Sequence, residues 1–248
     1  MSGPATGSVR IRAQARFDAE TFLRNGEQLL VSLVLPALTL LALTYSPVPD
    51  LGPGRRIDVV APGVLALAVL SSAFTSQAIA TGFDRRYGVL RLLGVTPLGR
   101  GGLLAARVIA VMAVAVLQFA VLGVVAVVLG WRPDLAGLAA FLLFWLAGTV
   151  TFVALALLMA GTLRAEATLA LANLLWVLML GVGGVVLPAD RFSAPWAGIV
   201  SALPSAALGD GFRGAFAGHG VAWLPLLVLA VWGAALAAAA ARWFRWSD

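Results

Sequence analysis

Residues 108–129 read VIAVMAVAVLQFAVLGVVAVVL, twenty-two positions in which Gln118 is the only polar side chain. No alternation of polar and apolar residues runs through the stretch, as a barrel strand would require. No polar stripe recurs at helical spacing either, as a helix on a soluble core would show. About 20 mostly apolar residues in helical form cross the hydrocarbon core of a bilayer. The stretch is therefore read as a membrane-spanning helix. Five further runs of the same kind flank it: Leu29–Tyr45, Val59–Ala80, Leu135–Leu163, Ala167–Leu187 and Val221–Ala241. The first is short and contains Pro36, and Leu135–Leu163 is long enough to tilt or protrude. The composition of the 248-residue chain agrees, with 61% hydrophobic and 11% charged residues and a mean hydropathy of +0.99. Soluble domains are about half apolar and a quarter charged, and disordered chains are poorer still in apolar residues. Both classes are excluded. The fold class read from the sequence is an all-α integral membrane protein of six spans.

All seventeen basic residues are arginine, against eleven acids, one histidine and no cysteine. A pI near 11.3 is high enough for a nucleic-acid binder, but in so apolar a chain arginine marks membrane edges. Arg10, Arg12, Arg16 and Arg24 precede the first span; Arg85, Arg86, Arg91, Arg100 and Arg107 lie between spans two and three; Arg164, Arg242 and Arg245 fall on the same side. Those twelve face six acids (Asp18, Glu20, Glu27, Asp84, Glu166, Asp248), whereas the opposite side has five of each sign, so the whole excess of six lies on one side. By the positive-inside rule that side is cytoplasmic, and with it both termini.

The organisation that follows is a flexible N-terminus (1–9), an interfacial amphipathic helix (10–28) and a single six-span domain (29–248). In the second segment Ile11, Ala15, Ala19, Phe22 and Leu23 recur at helical spacing, while Arg16, Glu20 and Arg24 form a charge ladder, with Arg12 beside it. Such a helix next to a span lies in the interface plane. Its charges rule out a cleaved signal peptide.

Two connecting segments are long. The inner one, Thr81–Arg107, contains Asp84-Arg85-Arg86-Tyr87-Gly88-Val89-Leu90-Arg91-Leu92-Leu93-Gly94-Val95-Thr96-Pro97-Leu98. Its spacing predicts a short helix over 84–94, with Asp84 at the positive end, Val89, Leu92 and Leu93 as an apolar face, and Arg85, Arg86 and Arg91 as a charged one. Thr96-Pro97 ends it, because a residue before proline avoids the helical region. Such a helix suits the groove of a soluble partner; read from the residues alone, it serves equally as a basic anchor that sets orientation.

This segment resembles the transmembrane subunits of type-2 ATP-binding-cassette (ABC) exporters, among them bacterial drug and antibiotic exporters. They carry acid-Arg-acid-Arg-Gly-Thr-Leu-Glu-x-Leu-x-x-Thr-Pro-Leu between spans two and three. The chain matches at Asp84, Arg85, Gly88, Leu90, Leu92 or Leu93, Thr96, Pro97 and Leu98, and departs at Arg86, Tyr87 and Arg91. The resemblance implies that this is a coupling helix that meets the ATP-hydrolysing subunit. A second match lies in the outer segment, Pro188–Gly220. Gly183-Gly184-Val185-Val186-Leu187-Pro188 is similar to the family's end of span five, and Pro195-Trp196 followed by Leu203-Pro204 through Phe212-Arg213 resembles its Pro-Trp…Asn-Pro-Leu…Leu-Arg stretch. There the resemblance implies short re-entrant helices that gate the outer face. The residues themselves give two short pieces, 194–203 and 205–216, split by Pro204. Irregular backbone at membrane depth survives only where protein buries it or water reaches it.

Other chemistry is scarce. A phosphate-binding loop needs lysine, and the chain has none. The six runs hold no Asp, Glu, Lys, Arg or His, which argues against a proton-driven carrier. His219 stands alone, so no metal site is expected. Polar residues in or beside the spans include Ser72, Thr75, Ser76, Gln77, Gln118 and Asn173. Each either lines a substrate path or bonds helix to helix, the latter contributing about 0.6 kcal/mol.

The resemblance thus implies a permease subunit of an ATP-driven exporter for a hydrophobic or amphipathic compound such as a drug, antibiotic or lipid. It implies two copies of a cytoplasmic ABC ATPase as partners, which bind the ATP and Mg²⁺, a second permease subunit of the same or a related kind, and surrounding lipid. No cofactor in this chain and no nucleic acid are implied. Lysine-free, alanine- and arginine-rich usage fits a high-GC bacterial genome, and hence the plasma membrane. Alternatives are export of a lipid-linked glycan or haem, and, in another class, a membrane enzyme or a non-transporting scaffold.

Overall fold

The computed structural model describes residues 6–245, and every element of regular structure among them is helical. Residues 1–5, most of the expected flexible N-terminus, and Asp248, counted above with the inner acids, lie outside the described residues, as do the side chains of Glu27 and Arg100. The chain opens with α1 (Gly7–Arg24), which begins earlier and ends sooner than the 10–28 helix read from the sequence. At Asn25 the backbone leaves helical geometry, and α2 (Gly26–Tyr45) starts the bundle.

The run read from the sequence as the second span is one rod in three parts: α3 (Arg56–Leu70), a π-helical segment over Ser71–Ser76, and α4 (Gln77–Arg86). A short α5 (Val89–Gly94) follows, then the long α6 (Gly99–Val128), α7 (Leu138–Thr162) and α8 (Ala165–Gly181). Beyond α8 the chain is irregular up to α9 (Trp196–Ser201), α10 (Pro204–Phe216) and α11 (Trp223–Trp243).

Among the described residues, four helical runs are long and apolar enough to cross a membrane: 56–86, 101–128, 135–162 and 223–243. The apolar part of α2, Ser32–Tyr45, and α8, Ala165–Gly181, are shorter than that length. The expected fifth span, Ala167–Leu187, therefore ends early. Gly183 and Gly184 break it, and at Gly184 (φ +75°) a Cβ would sit 2.5 Å from the Cβ of Ala206. Only glycine admits both that backbone and that approach.

Residues 60–70 of α3 are buried without exception. The core sits around this rod, which packs against α2, α6, α7 and α10, while α11 lies against α7 and α1 against α6. The outward faces are apolar instead of polar: Val116, Val124, Leu142, Leu146, Leu174, Val177, Leu227 and Val231 are all exposed. Apolar surface on this scale belongs against lipid or a partner, not water.

Candidate functional site: the arginine-rich end

The structure separates the inner segment into two helices where the sequence reading had one over 84–94. Asp84, Arg85 and Arg86 form the last turn of α4, and Gly88, at φ +78°, turns the chain before α5 begins at Val89. Asp84 thus stands at the negative end of a helix, opposite to the expectation, and needs a cation there. Arg107 supplies it, donating from Nη2 to Asp84 Oδ2 at 2.8 Å.

The three consecutive residues point to three different helices. Asp84 is held by α6 through Arg107. Arg85 is buried, and its two terminal nitrogens donate to the carbonyls of Ala160 and Leu163, each at 2.8 Å, so that it caps the last turn of α7. Arg86 pairs with Glu166 in the first turn of α8. Successive residues on a helix lie about 100° apart, which is why one short stretch reaches three neighbours.

Arg107 also reaches α1. Its Nε lies 3.4 Å from Asp18 Oδ2, with the Arg107 side chain 7% and the Asp18 side chain 5% exposed. Gln14 donates an amide N–H to the other Asp18 oxygen at 2.9 Å. Burial pushes the Asp18 carboxyl above the usual carboxylate range, against the opposing pull of Arg107 and of the Gln14 hydrogen bond. Asp18 shares its buried face with Ala15 and Phe22. Arg12, Arg16 and Arg24 stay at the exposed side of α1, and Arg16 pairs with Glu20 at 2.7 Å. At the other end of the helix, Arg10 donates to the Pro97 carbonyl of the segment after α5. Near its start and at its middle, α1 is thus bound to the segment around α5 and to α6.

The bonds of α4 are thereby spent within the chain, and what faces outward is largely apolar. Tyr87 is 74%, Leu92 70% and Val95 85% exposed, and Val89 and Arg91 are exposed as well. Leu90 is the fully buried residue of α5, and Leu93 is half-buried, so the apolar face expected over Val89, Leu92 and Leu93 does not pack as one. Thr96 turns its hydroxyl back to the Leu93 carbonyl, and Pro97 is exposed.

At the opposite end, the outer residues also converge. Arg213 donates to the carbonyls of Gly184 (3.0 Å), Val185 (3.0 Å) and Val186 (3.3 Å) and pairs with Asp210 at 2.6 Å. These bonds satisfy three carbonyls of the irregular segment that follows α8. Two short helices lie here, α9 and α10, and Pro204 stands at the start of the second, where its missing N–H leaves no bond unmade. Pro204 and Phe212 are buried beneath, Pro188 is half-buried, and Trp196 is exposed.

The sequence profile of the ABC-2 type transporter family matches residues 11–217, from α1 to the end of α10. The chain belongs to the ABC-2 type transporter family. Comparison with curated protein sequences gives no match. Membership makes this chain a membrane-embedded permease component of an ABC transporter and not its catalytic component, and it implies association with an ABC ATPase. The membrane-enzyme and scaffold readings give way to it.

Within this ABC-2 chain the polar span residues divide. Ser72 is buried and donates to the Ala68 carbonyl at 2.9 Å, and Gln118 donates to the Ser32 carbonyl of α2 at 3.3 Å. Gln77 is buried, with its amide oxygen unbonded. Thr75 and Ser76 are half-buried, and Asn173 is exposed on α8 among leucines. Two residues of the arginine-rich end were missed as site residues. Asp18 follows Ala15 by three positions and precedes Phe22 by four, the spacing of a single helical face. Arg107, next to the apolar run 108–129, was read only as one of the arginines that mark a membrane edge.

Proposed function

We propose that this chain is the permease of an ATP-driven exporter, with six spans, both termini cytoplasmic, and α5 as the segment that receives the motion of the ATPase. The carrying observation is the division of labour at α4–α5. Asp84, Arg85 and Arg86 bind α6, α7 and α8, while Tyr87, Leu92 and Val95 remain outside. A displacement of α5 is passed through Gly88 to the end of α4, and from there to three further helices and, through Arg107, to α1. Two ATPase copies would bind the ATP and Mg²⁺ and draw two permeases together, and Pro188, Trp196, Pro204, Phe212 and Arg213 would form the outer gate. A hydrophobic or amphipathic cargo suits half-buried Thr75 and Ser76 and exposed Asn173, which lie among apolar side chains with no charged constriction named among them. Drugs, antibiotics and lipids of a bacterial plasma membrane fit that chemistry.

The test is co-expression with an ABC ATPase encoded beside the gene. Leu92→Glu and Val95→Glu place charge on an exposed apolar edge and leave every internal bond in place. Both variants insert normally and lose the co-purifying ATPase. Retention of full ATPase binding by the double variant removes α5 as the docking element.

A further inference from the structure

The seam between α1 and the rod contains a small polar crevice that the ion pairs do not use. It measures about 10 Å³ and lies between α1, α6 and the residues where the π-helical turn passes into α4. Asp18 and Phe22 line it from α1, Ala110 and Val111 from α6, and Ser72 and Gln77 from the rod.

Two acceptors on these side chains lack a hydrogen. Gln77 is 7% exposed, and its Oε1 receives no hydrogen bond among the described residues. Asp18 receives the Gln14 amide on Oδ1, whereas Oδ2 has no hydrogen bond and meets Arg107 Nε as an opposite charge 3.4 Å away. Ser72 spends its hydroxyl hydrogen on the Ala68 carbonyl, so its oxygen can offer lone pairs alone. A carboxylate oxygen and an amide oxygen cannot bond each other, and a buried acceptor without a donor is costly. What fits between them must donate two hydrogens and be as small as a water, which needs about 10–15 Å³ of such space. A metal cation would suit the same oxygens, but the Arg107 guanidinium already stands against Asp18 and repels it.

We propose that this crevice binds one water molecule, which donates one hydrogen to Asp18 Oδ2 and the other to Gln77 Oε1. Two to four polar partners are what hold a buried water in place. Gln77 opens α4 and Asp84 follows it by seven residues, so the two share one face of the helix about two turns apart. Arg107 ties α1 to the far end of that face through Asp84, and the water ties α1 to its near end. The interfacial helix is thereby fastened to both ends of α4. The part this plays in coupling rests on the function proposed above; the site itself depends on neither ATPase docking nor membrane orientation.

The experiment uses nuclear magnetic resonance on the full chain in lipid nanodiscs, with the side-chain amides of its four glutamines, Gln14, Gln28, Gln77 and Gln118, isotopically labelled. The Gln77 signal is assigned by its loss in Gln77→Leu. In the wild type this amide gives a cross-peak with a long-lived water, and the cross-peak persists in Ser72→Ala, which excludes relay through that hydroxyl. Ala110→Val adds methyl groups to the wall of the crevice and abolishes the cross-peak while the Gln77 signal remains. Ala19→Val fills the crevice from α1 with the same result, so the test stays decisive if one of the two variants inserts poorly. Absence of the cross-peak in the wild type, its loss in Ser72→Ala, or its survival in every filled variant that inserts overturns the proposal. So does a melting temperature that rises with sodium chloride over choline chloride in the wild type but not in Gln77→Leu, which assigns the crevice to a cation. The measurement is made without the ATPase, so its outcome is separate from that of the Leu92→Glu and Val95→Glu variants.

Discussion

Replacing Arg107 by glutamine removes the cation shared by Asp18 of α1 and Asp84 of α4, and the two carboxylates do not lose equally. The Asp18 side chain is 5% exposed, that of Asp84 32%, so only Asp18 is left as a charge without access to water. Stripping one partner from a buried ion pair costs about 3–5 kcal/mol. On the scale of about 2–4 °C per kcal/mol for a chain of this size, the melting temperature of Arg107→Gln falls by roughly 10 °C. Asp18→Asn acts differently, because Arg107 keeps Asp84 at 2.8 Å and the asparagine oxygen still accepts the Gln14 amide. The charge removed is one that burial already disfavours, so the change is about 1 kcal/mol or less, in either direction. The double variant Asp18→Asn/Arg107→Gln is then more stable than Arg107→Gln alone, a coupling of about 1–3 kcal/mol as expected for residues in contact. The assay is thermal unfolding of the purified chain, with membrane content as the control for insertion. If Asp18→Asn is as damaging as Arg107→Gln, or the double variant is simply the sum of the two, Asp18 is not a buried charge neutralised by Arg107.

The pH dependence of the same residue has a definite sign. Asp18 is raised in the folded chain, so the fold binds its proton more tightly than the unfolded chain does, and the stability this supplies is present below the ordinary carboxylate value and lost as pH rises through the raised one. Melting curves of wild type and Asp18→Asn should therefore diverge in favour of the variant as pH climbs through that window, and parallel curves would contradict it. Arg213→Met leaves the carbonyls of Gly184, Val185 and Val186 and the Asp210 carboxylate without their donor. It should lower the melting temperature and open residues 182–187 to proteolysis; unchanged protection would speak against the staple. Gly184→Ala adds a methyl 2.5 Å from Ala206 at a positive φ and is expected to destabilise by at least about 1 kcal/mol, read by the same melt.

Membrane spans were legible in the sequence wherever an apolar run was long and free of polar breaks, as in 108–129. Less legible were the ends of the helices. Arg107 marks an edge in one dimension, yet α6 continues past it to Gly99, because two acids distant in sequence neutralise the guanidinium inside the fold. The Asp84-Arg85-Arg86 stretch was recognisable as a motif, but its position in a helix was not. That depends on Gly88 adopting a left-handed turn, and glycine also occurs within helices without doing so. The three partners of these residues lie 23 to 80 positions away, beyond the reach of local pattern. At the outer end, Arg213 was read as part of a gate, but its acceptors were not legible, since nothing local shows that α8 stops at Gly181 and that the carbonyls of residues 184–186 after it need a donor.

The π-helical turn at Ser71–Ser76 gives the rod over residues 56–86 its particular geometry. A π turn carries more residues than an α turn, so the helix below it is out of phase with the helix above it. Ser72 and Ser76, one turn apart in a regular helix, accordingly differ, the first buried and the second half-buried. Above the turn every side from residue 60 to 70 is enclosed; below it, Asp84, Arg85 and Arg86 face separate neighbours. Trp176 of α8 donates its indole N–H to the Ser71 hydroxyl at 2.8 Å, at the first residue of the turn. The rod thus has two angular settings within one continuous helix. The enclosure of the upper half and the three-way attachment of the lower half are thereby set at different angles on one shaft, as the two yokes of a universal joint are.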